Sequence, residues 1–594
     1  MPLALNTNSG SKDWDAYKND IENLKKVNKL DNENDAIAFA RSFCYSVVKN
    51  LWKSVDNRKK WKCRQITFSM KELDLHSIKL SKEISDYFIS LNIMEYAYLL
   101  GNLYTMLLPN SYRADNGIYY TPPTLAERLL DLLAAEGADW AKANILDPAC
   151  GGGAFLVTVA NRMLGDYRIK ELPAEIKLLH LEQHLTGIEI DKFAGWLTQV
   201  LLDIIVYQEA VVAGRRLKAI IKIQDTIQYA MIEKEMFDII VGNPPYGRVK
   251  LDDDTRKVYA RSLFGHANLY GLFIDASLRL KKSEGLVGFV TPTSFLGGKY
   301  FSNLRNLLSK VAPPLAIDFV SVRNGVFDQV LQETCLVTFG QNATKNVTTS
   351  KISVENNTYN VERIGNFKVK NGTDPWIIAR EPAEADIVNR VNKIKTTLAE
   401  YGYKVSTGQL VWNRLKGQIT EVPTDGSKPI IWAEAITTEG LFNFDYQYRN
   451  KLQYITVVDK QDFLICNKAV VIVQRTTAKE QNRRLQTCVL PQKFIDKWNG
   501  VVVENHVNMV HAIVDRPAIS LETLSLILNS RIVDRIFRCL SGSVAVSATE
   551  LHALPLPPVK KVKEIENLIT ASQKNNNITE MVERIVTKAY GLEE

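Results

Sequence analysis

Cysteine is scarce in this chain of 594 residues, and the cysteines it has show no pairing pattern. The seven cysteines are odd in number and scattered, and no two of them form a Cys-x-x-Cys pair. This distribution argues against a disulfide framework and a structural zinc site, and it favours a reducing, cytoplasmic compartment. The seven histidines show no metal-ligand spacing either, so we expect no metal site.

Long apolar runs are also missing. The most apolar stretch, residues 194–214, is interrupted by Gln199, Asp203, Gln208 and Glu209, so we expect no membrane span. The first residues lack a basic region followed by an apolar core, so we expect no signal peptide. Internal repeats and low-complexity segments are absent as well, which leaves ordinary globular domains as the expected architecture.

The charge balance is mildly basic. Lys and Arg outnumber Asp and Glu by 74 to 66, which gives a net charge of +8 and a pI near 8.8. This excess is compatible with a polyanionic partner such as nucleic acid but is too small to establish one. Hydrophobic residues make up 46% of the chain, enough for about two to four domains with full cores.

The pattern of apolar residues divides the chain into four predicted domains. Residues 1–110 show helical spacing and predict an N-terminal helical domain. In residues 111–375, short apolar runs alternate with amphipathic helices, which predicts a doubly wound α/β sheet, with hairpin strands at 348–369. Residues 376–558 have an irregular, β-rich pattern typical of a mixed α+β domain that ends in a proline cluster. Residues 559–594 predict a polar helical tail.

The tetrapeptide Asn243-Pro244-Pro245-Tyr246, directly after the apolar run 237–241, is the most informative motif. A strand that ends in this rigid turn presents an amide oxygen, the Pro244 carbonyl and an aromatic face at one point. Both N–H bonds of an exocyclic amine could donate to these oxygens while its ring stacks on Tyr246. The motif therefore predicts methyl transfer to an amino nitrogen. In the alternative interpretation, Pro-Pro only ends a buried strand beside a core tyrosine.

A second motif predicts a cofactor site. Residues 147–153, Asp-Pro-Ala-Cys-Gly-Gly-Gly, join a predicted strand to a predicted helix, where glycines let backbone N–H groups approach a ligand. The motif is neither a P-loop nor a dinucleotide fingerprint. Glu189 ends the next strand and is placed to accept ribose hydroxyls, and Asp225 is placed to bond an adenine amino group. Each carboxylate could instead be an ordinary charge at a strand end.

Together, these motifs occur in the order known from one family. They are Tyr119-Tyr120-Thr121-Pro122-Pro123 and residues 147–155, 187–191, 225, 243–246, 267–273, 288–292 and 325–327. In this order the chain resembles the gamma-class DNA adenine-N6 methyltransferases of bacterial restriction-modification systems, of the TaqI-like kind. The resemblance is dense over residues 115–340 and extends by layout only to a C-terminal target-recognition domain. The N-terminal helical domain has no counterpart in it.

The resemblance implies a Rossmann-like sheet that uses S-adenosyl-L-methionine. It places Thr121, Asp147 and Ala149 at the methionyl moiety, with Gly151 and Gly153 in the glycine loop. By the same comparison, Glu189 binds the ribose, Asp225 the cofactor adenine, and Pro245 its ring face. The resemblance also implies that Asn243, Pro244 and Tyr246 are the catalytic residues and that Phe327 packs with Tyr246 against a flipped target base. Gly152 departs conservatively from a serine that is common in the family.

The resemblance further implies double-stranded DNA as the partner in a bacterial or archaeal cytoplasm, and it leaves open a cognate restriction endonuclease that acts separately. A base inside a duplex must be flipped out to react, so contacts to DNA are needed outside the sheet. We expect them in the C-terminal region, with Arg414, Arg475, Lys479, Arg483 and Arg484 as candidates. A solvated charged face is the alternative for each of these residues.

Other functions share parts of this pattern. Protein-glutamine and some ribosomal RNA methyltransferases also use Asn-Pro-Pro-Tyr on this fold. A fused restriction-modification enzyme and a non-catalytic DNA-binding subunit are further alternatives. A second basic cluster at 52–64 could touch the DNA backbone or lie on an ordinary surface.

Overall fold

A computed structural model describes residues 12–28, 32–57, 59–66, 68–116, 121–321, 333–341, 344, 346–355, 358–445, 452–476, 482–540, 545–571 and 578–592. The chain divides into two compact units. The first contains residues 1–291, 311–345 and 352–361, and the second contains residues 292–310, 346–351 and 362–594. The N-terminal helices thus share a unit with most of the sheet, and the C-terminal helices share the other with the β-rich region.

Five helices open the chain: α1 (Trp14–Val27), α2 (Glu33–Val55), α3 (Leu75–Ile89), α4 (Ile93–Leu107) and α5 (Asn110–Asn116). Asp13, Asn32, Asp74 and Asn92 stand before the first four, and each side chain accepts an N–H bond from the first turn. The apolar face of these helices is buried in one core with residues 193–207. The expected N-terminal helices are therefore present.

The remaining helices of the first unit are α6 (Pro123–Ala135), α7 (Ala154–Gly165), α8 (Tyr167–Lys170), α9 (Ala174–His184), α10 (Lys192–Ile205), α11 (Tyr207–Ala213), α12 (Thr226–Ile232), α13 (Asp253–Val258) and α14 (Leu269–Leu280). No single helix of the described ranges is long and apolar enough to cross a membrane; α10 and α11 pass that test only as a pair bent by 67°.

The strands that follow in chain order are β1 (Ile145–Asp147), β2 (Leu185–Glu189), β3 (Ile221–Ile223), β4 (Phe237–Gly242), β5 (Arg248–Val249), β6 (Ala267–Asn268), β7 (Lys281–Pro292), β8 (Pro314–Val320), β9 (Thr334–Phe339), β10 (Asn346–Glu355) and β11 (Thr358–Lys368). Nine form one sheet in the order β11-β10-β8-β9-β7-β4-β1-β2-β3, and β5 pairs with β6. Strands β3, β2, β1, β4 and β7 are parallel neighbours, whereas β8 and β9 are antiparallel.

This strand order determines where a ligand can bind. From β1 the chain winds outward through β2 and β3 and then returns to β4 on the other side of β1. Ligands of open α/β sheets bind outside the carboxyl ends of the strands where the winding reverses. Asp147 ends β1 and Gly242 ends β4 at this position. The expected α/β class is confirmed.

The second unit has helices on two small sheets. Its helices are α15 (Ser302–Val311), α16 (Ala385–Val391), α17 (Gln492–Lys497), α18 (Leu521–Leu528), α19 (Arg531–Leu540), α20 (Ala548–Ala553), α21 (Val559–Ala571) and α22 (Ile578–Ala589). Its strands are β12 (Tyr403–Thr407), β13 (Ile419–Thr420), β14 (Lys428–Ile431), β15 (Tyr454–Ile455), β16 (Ile465–Cys466), β17 (Val470–Gln474), β18 (Thr487–Leu490), β19 (Val501–Val503) and β20 (Val507–Ala512). The sheet orders are β12-β20-β17-β18 and β13-β15-β14-β19-β16.

The proline cluster, which consists of Pro555, Pro557 and Pro558, does more than end residues 376–558. The hydroxyls of Tyr401 and Tyr590 donate to the carbonyls of Pro557 and Pro555, at 2.7 and 2.8 Å. Because Tyr590 follows α22, the cluster joins the terminal helices to the buried interior of the unit.

The second basic cluster belongs to the fold of the first unit. Arg64 donates to both carboxylate oxygens of Asp203 on α10, with Nη2 to Oδ1 at 2.8 Å. The rings of Trp52 and Trp61 both pack edgewise on Tyr207 of α11. The cluster thus attaches the N-terminal helices to the helices beside the sheet.

Candidate active site

A cavity of about 440 Å³ lies at the carboxyl ends of the parallel strands in the first unit. Its walls include seven of the eight residues predicted to bind a cofactor: Thr121, Asp147, Ala149, Gly151, Glu189, Asp225 and Pro245. Residues that are 124 positions apart in the sequence therefore share one cavity, as the sheet topology predicts. Gly153, the eighth, does not line the cavity and acts on the shape of the loop.

The glycine loop between β1 and α7 depends on two backbone conformations that favour glycine. Gly151 and Gly153 have φ values of +50° and +90°, where other residues are strained. A Cβ on Gly153 would also lie 3.1 Å from Thr198. Thr198 holds the loop from α10, because its Oγ1 donates to the Gly151 carbonyl at 2.6 Å. Thr198 belongs to no sequence motif, so its contact with the glycine loop appears only in the structure.

Asp147 is buried at the cavity wall, with 1% of its surface exposed. Its Oδ1 accepts the N–H of Ala149 at 3.0 Å. Burial raises the pKa of the Asp147 carboxyl to about 8, and the nearby charge of Glu189 adds to this effect. A Cβ on Gly242 would lie 2.6 Å from Asp147 Oδ1, so glycine at the end of β4 leaves room for this carboxyl.

Glu189 organises the turn after β2. Its Oε2 accepts the N–H of Gly151 at 2.8 Å, and its Oε1 accepts the N–H groups of Ile190 and Asp191 at 3.0 and 2.9 Å. Desolvation raises the pKa of the Glu189 carboxyl to about 7 in spite of the backbone donors. The carboxylate therefore joins the glycine loop to the end of β2 at the cavity wall.

The next strand contributes a short polar wall. Asp225 caps α12, since its Oδ1 accepts the N–H of Ile227 at 2.7 Å. Beside it, Gln224 lines the cavity with an Nε2 that is buried and has no hydrogen-bond partner among the described residues. The buried Oγ1 of Thr121, across the same cavity, is in the same situation. Unpartnered polar atoms in a cavity wall fit a polar ligand.

The Asn-Pro-Pro-Tyr turn meets the cavity on one side. Asn243 and Pro245 line it, whereas Pro244 and Tyr246 do not. Tyr246 is 9% exposed, and its hydroxyl lies 2.8 Å from Asn243 Oδ1 and 3.1 Å from the Val290 carbonyl oxygen. Its single proton is donated to one of these oxygens. Burial raises the pKa of Tyr246 well above its usual value, so the hydroxyl is a donor. Phe327 lies outside the described residues.

The N-terminal helices add cavity residues that sequence analysis missed. Tyr104 on α4 and Tyr112 on α5 line the cavity beside Asp191. The Tyr104 hydroxyl donates to Asp191 Oδ2 at 2.8 Å, across 87 residues of sequence. No motif connects these residues, because the contact exists only once the helices pack on α10.

The candidate DNA contacts differ in exposure. Arg414 is exposed on a short helical turn beside Trp412. Trp412 is 37% exposed, and Lys416 Nζ lies 5.0 Å from the centre of its ring. Arg475 and Arg483 are half-buried, and Arg475 Nη1 donates to the Asn505 carbonyl at 2.9 Å.

The structure contradicts the DNA contact expected at Arg484, and Lys479 lies outside the described residues. The structure buries Arg484 to 3% exposure, beside the buried carboxyl groups of Asp534 and Glu550. Its backbone N–H donates to Asp534 Oδ1 at 2.6 Å, and burial lowers the pKa of its guanidinium. A side chain buried in this way cannot touch DNA, so the expected contact at Arg484 is wrong. A run of polar residues gives no indication of which one turns inward.

Comparison with known proteins gives one family model that matches residues 183–327, described as the Eco57I restriction-modification methylase. The Type II methyltransferase M.BsuBI of Bacillus subtilis is 24% identical over 484 residues, which cover 75% of this chain and 88% of that protein. The Type II methyltransferase M.PstI of Providencia stuartii is 27% identical over 368 residues, covering 58% and 70%.

Among solved structures, the Type IIL restriction-modification enzyme MmeI in complex with DNA matches with a TM-score of 0.53. The match covers 93% of this chain and 87% of MmeI at 14% identity, so it bears on the fold alone. The residues matched by the family model include the turn after β4 and the end of β2, which line the cavity. The chain is therefore similar to the methyltransferases of restriction-modification systems, and to that extent the resemblance inferred from its motifs is confirmed.

Proposed function

We propose that this protein is a site-specific DNA methyltransferase that transfers a methyl group from S-adenosyl-L-methionine to N6 of a flipped adenine. The observation that carries the proposal is the place of Asn243. Its amide stands in the wall of a cavity that also contains Asp147, Glu189 and Asp225. The Asn243 oxygen, which can accept from an amine, thus shares one cavity with carboxylates that suit a nucleoside cofactor.

The residues of the cavity fit this cofactor. Thr121, Asp147 and Ala149 would hold the methionyl part, Glu189 the ribose, and Asp225 the adenine with Pro245 on its face. The unpartnered Nε2 of Gln224 provides a further donor beside Asp225. When bound, S-adenosylmethionine supplies a methyl group on a positively charged sulfur, and the Asp147 and Glu189 carboxylates complement that charge.

The chemistry of the chain's own residues is positioning. Asn243 Oδ1 and the Pro244 carbonyl accept both N–H bonds of the amine, so its lone pair turns out of conjugation and toward the methyl donor. The Tyr246 hydroxyl lies 2.8 Å from Asn243 Oδ1, and a proton donated to that oxygen holds the Asn243 amide in place. No general base is required before attack, since the proton leaves after the new bond forms.

Double-stranded DNA is the proposed partner. M.BsuBI and M.PstI are Type II methyltransferases, and MmeI was solved in complex with DNA. In this proposal residues 111–375 form the catalytic domain and 376–558 the target-recognition domain. Flipping the base out of the duplex costs a few kcal/mol, and we expect aromatic stacking at the site to offset this cost. Arg414, Arg475 and Arg483 are the proposed contacts to DNA.

The test is transfer of labelled methyl groups to DNA, RNA and protein, followed by mass spectrometry of the digested product. We expect N6-methyladenine in DNA. Methylated RNA or glutamine, or another methylated base, would contradict the proposal. Circular DNA with Mg²⁺ in a parallel reaction distinguishes a fused restriction-modification enzyme, because such an enzyme would also cut.

A further inference from the structure

The N-terminal helices carry a part of the cavity wall that the proposed function leaves without a role. Tyr104 is 1% exposed on α4, and its ring packs 4.7 Å from that of Phe193 on α10. The Tyr104 hydroxyl donates to Asp191 Oδ2 at 2.8 Å. Tyr104 and Asp191 both line the cavity, and Tyr112 of α5 lines it next to them.

Asp191 transmits this contact to the ribose-binding position. Its backbone N–H donates to Glu189 Oε1 at 2.9 Å, so the position of residue 191 affects the orientation of the Glu189 carboxylate. Its Oδ1 accepts the N–H of Phe193 at 2.8 Å and caps α10. Arg41 of α2 adds a positive charge, with Nη2 3.5 Å from Oδ1. Residues of α2 and α4 thus determine the position of Asp191.

The helix that carries Tyr104 has a firm position of its own. Leu100, Leu103 and Leu107 on α4 are fully buried in the same core as Leu197 and Val200 on α10. A wall supported by such a core is preorganised, and preorganisation raises affinity because little ordering remains to occur on binding. Because this core fixes α4, it also fixes the position of the Tyr104 hydroxyl beside Asp191.

We propose that the N-terminal helices complete the cofactor site, with Tyr104 as a positioning residue and Tyr104 and Tyr112 as the outer wall on the nucleoside side. Tyr104 holds Asp191, and Asp191 in turn holds the Glu189 carboxylate in the orientation that accepts ribose hydroxyls. Binding of S-adenosylmethionine then depends on helices outside the sheet. This inference rests on the proposed function, since it assumes S-adenosylmethionine as the ligand.

Calorimetric titration of the full chain with S-adenosylmethionine tests the proposal. Tyr104→Phe keeps the ring and removes only the hydroxyl, so we expect Kd to rise about tenfold, as is usual when a hydrogen bond to a charged group is lost. Asp191→Asn keeps the acceptor that caps α10 but removes the negative charge that Tyr104 and Arg41 face, and a rise of similar size is expected. The double variant should bind no more weakly than the weaker single variant, because Tyr104 is proposed to act on the ligand only through Asp191. Tyr96→Phe, a hydroxyl deletion elsewhere on α4 and away from the cavity, is the matched control and should leave Kd unchanged.

Hydrogen exchange provides a readout that a merely structural role of Tyr104 would not change. Added S-adenosylmethionine should slow exchange in peptides that cover residues 100–113 as well as residues 147–154. A Tyr104→Phe Kd equal to that of Tyr96→Phe, or protection of 147–154 without protection of 100–113, would overturn the proposal. Wild-type protein that binds no S-adenosylmethionine at all would instead contradict the proposed function.

Discussion

Asn243 lines the cavity, and its amide oxygen is the group that the proposed chemistry needs. Asn243→Ala removes that oxygen while the glycine loop, Glu189 and Asp225 stay in place. We expect methyl transfer to fall by at least about 100-fold, the usual loss when a preorganised hydrogen-bonding group at a reacting atom is deleted. Cofactor affinity should change by less than about threefold, since Asn243 is proposed to bind the amine that receives the methyl group rather than the cofactor.

The measurement is single-turnover methyl transfer together with calorimetry of cofactor binding. Asn34→Ala is the matched control, because Asn34 is an exposed asparagine on α2. Turnover of Asn243→Ala within tenfold of the wild type would show that the amine is not held by this side chain.

The raised pKa values of Asp147 and Glu189 predict a pH dependence of cofactor binding. In the free protein these carboxyls have pKa values of about 8 and about 7, so both are largely protonated below those values. A cationic ligand favours the ionised forms, and affinity should therefore fall as the pH drops from about 9 to about 6, by up to tenfold per pH unit for each proton displaced. Calorimetry in buffers of different ionisation enthalpy should show proton release on binding.

Asp147→Asn provides the control for this pH dependence. The variant lacks the group with the higher pKa, so its affinity should vary less near pH 8 while the titration near pH 7 persists. Without ligand the effect on folding has the opposite sign. The native state binds more protons than the unfolded state between about pH 4 and about pH 8, and its stability should fall as the pH rises through that window. Cofactor affinity that is flat from about pH 6 to about pH 9 would contradict the assignment.

At the scale of secondary-structure elements, the sequence predicted what local pattern encodes. The strand that ends at Asp147, the helix after the glycine loop and the hairpin near 348–369 appear as expected, as β1, α7, and β10 with β11. Their apolar runs and turn residues act over a few positions, so one sequence suffices to recognise them. The carboxyl ends of β1, β2 and β4 meet because parallel sheets bring such ends together.

The contacts that sequence analysis missed depend on packing between distant segments. Thr198 meets the glycine loop, and Tyr104 meets Asp191, only after α10 has docked on the sheet. Arg484 shows the same limit for charge. In sequence it belongs to a basic run, yet α19 and α20 place Asp534 and Glu550 around it in the interior. Propensity and charge patterning describe one segment at a time and contain no information on these partners.

The burial of Arg484 predicts that adjacent arginines act differently. Arg484→Ala leaves the buried carboxyls of Asp534 and Glu550 without this cation, which should cost ~3–5 kcal/mol of stability, the usual loss when one partner of a buried charge group is removed. Arg483 is half-buried, and Arg483→Ala should cost at most ~1 kcal/mol. Thermal melting of both variants checks this difference. Equal melting temperatures would show that Arg484 is not part of the interior network.

At the scale of the whole molecule, the chain divides into two units with different proposed tasks. The cavity and its walls lie in the first unit, at the ends of its central strands, where the proposed cofactor and target base would bind. The second unit holds the exposed Trp412 and Arg414 as well as Arg475 and Arg483. Aromatic and basic side chains of this kind suit contacts to phosphates and bases. Sequence selectivity should therefore reside in the second unit.

Substitutions in the second unit test this division with a panel of DNA duplexes that differ from the methylated site by single base pairs. For Arg414→Ala, Arg475→Ala and Arg483→Ala, we would measure affinity and methylation at two salt concentrations. Loss of a phosphate contact should weaken binding to all duplexes alike and reduce the salt dependence. Loss of a bidentate base contact should cost ~1–3 kcal/mol and relax one position of the site.

The structure predicts different outcomes for these arginine variants. Arg475 already donates from Nη1 to the Asn505 carbonyl, which leaves fewer donors for a base, so we expect the uniform loss of a phosphate contact there. Arg414 is exposed beside Trp412, so it is our candidate for a base contact. Lys460→Ala, at an exposed lysine in a turn of the same unit, is the charge-matched control. Unchanged affinity and unchanged selectivity in all three arginine variants would place sequence recognition outside these side chains.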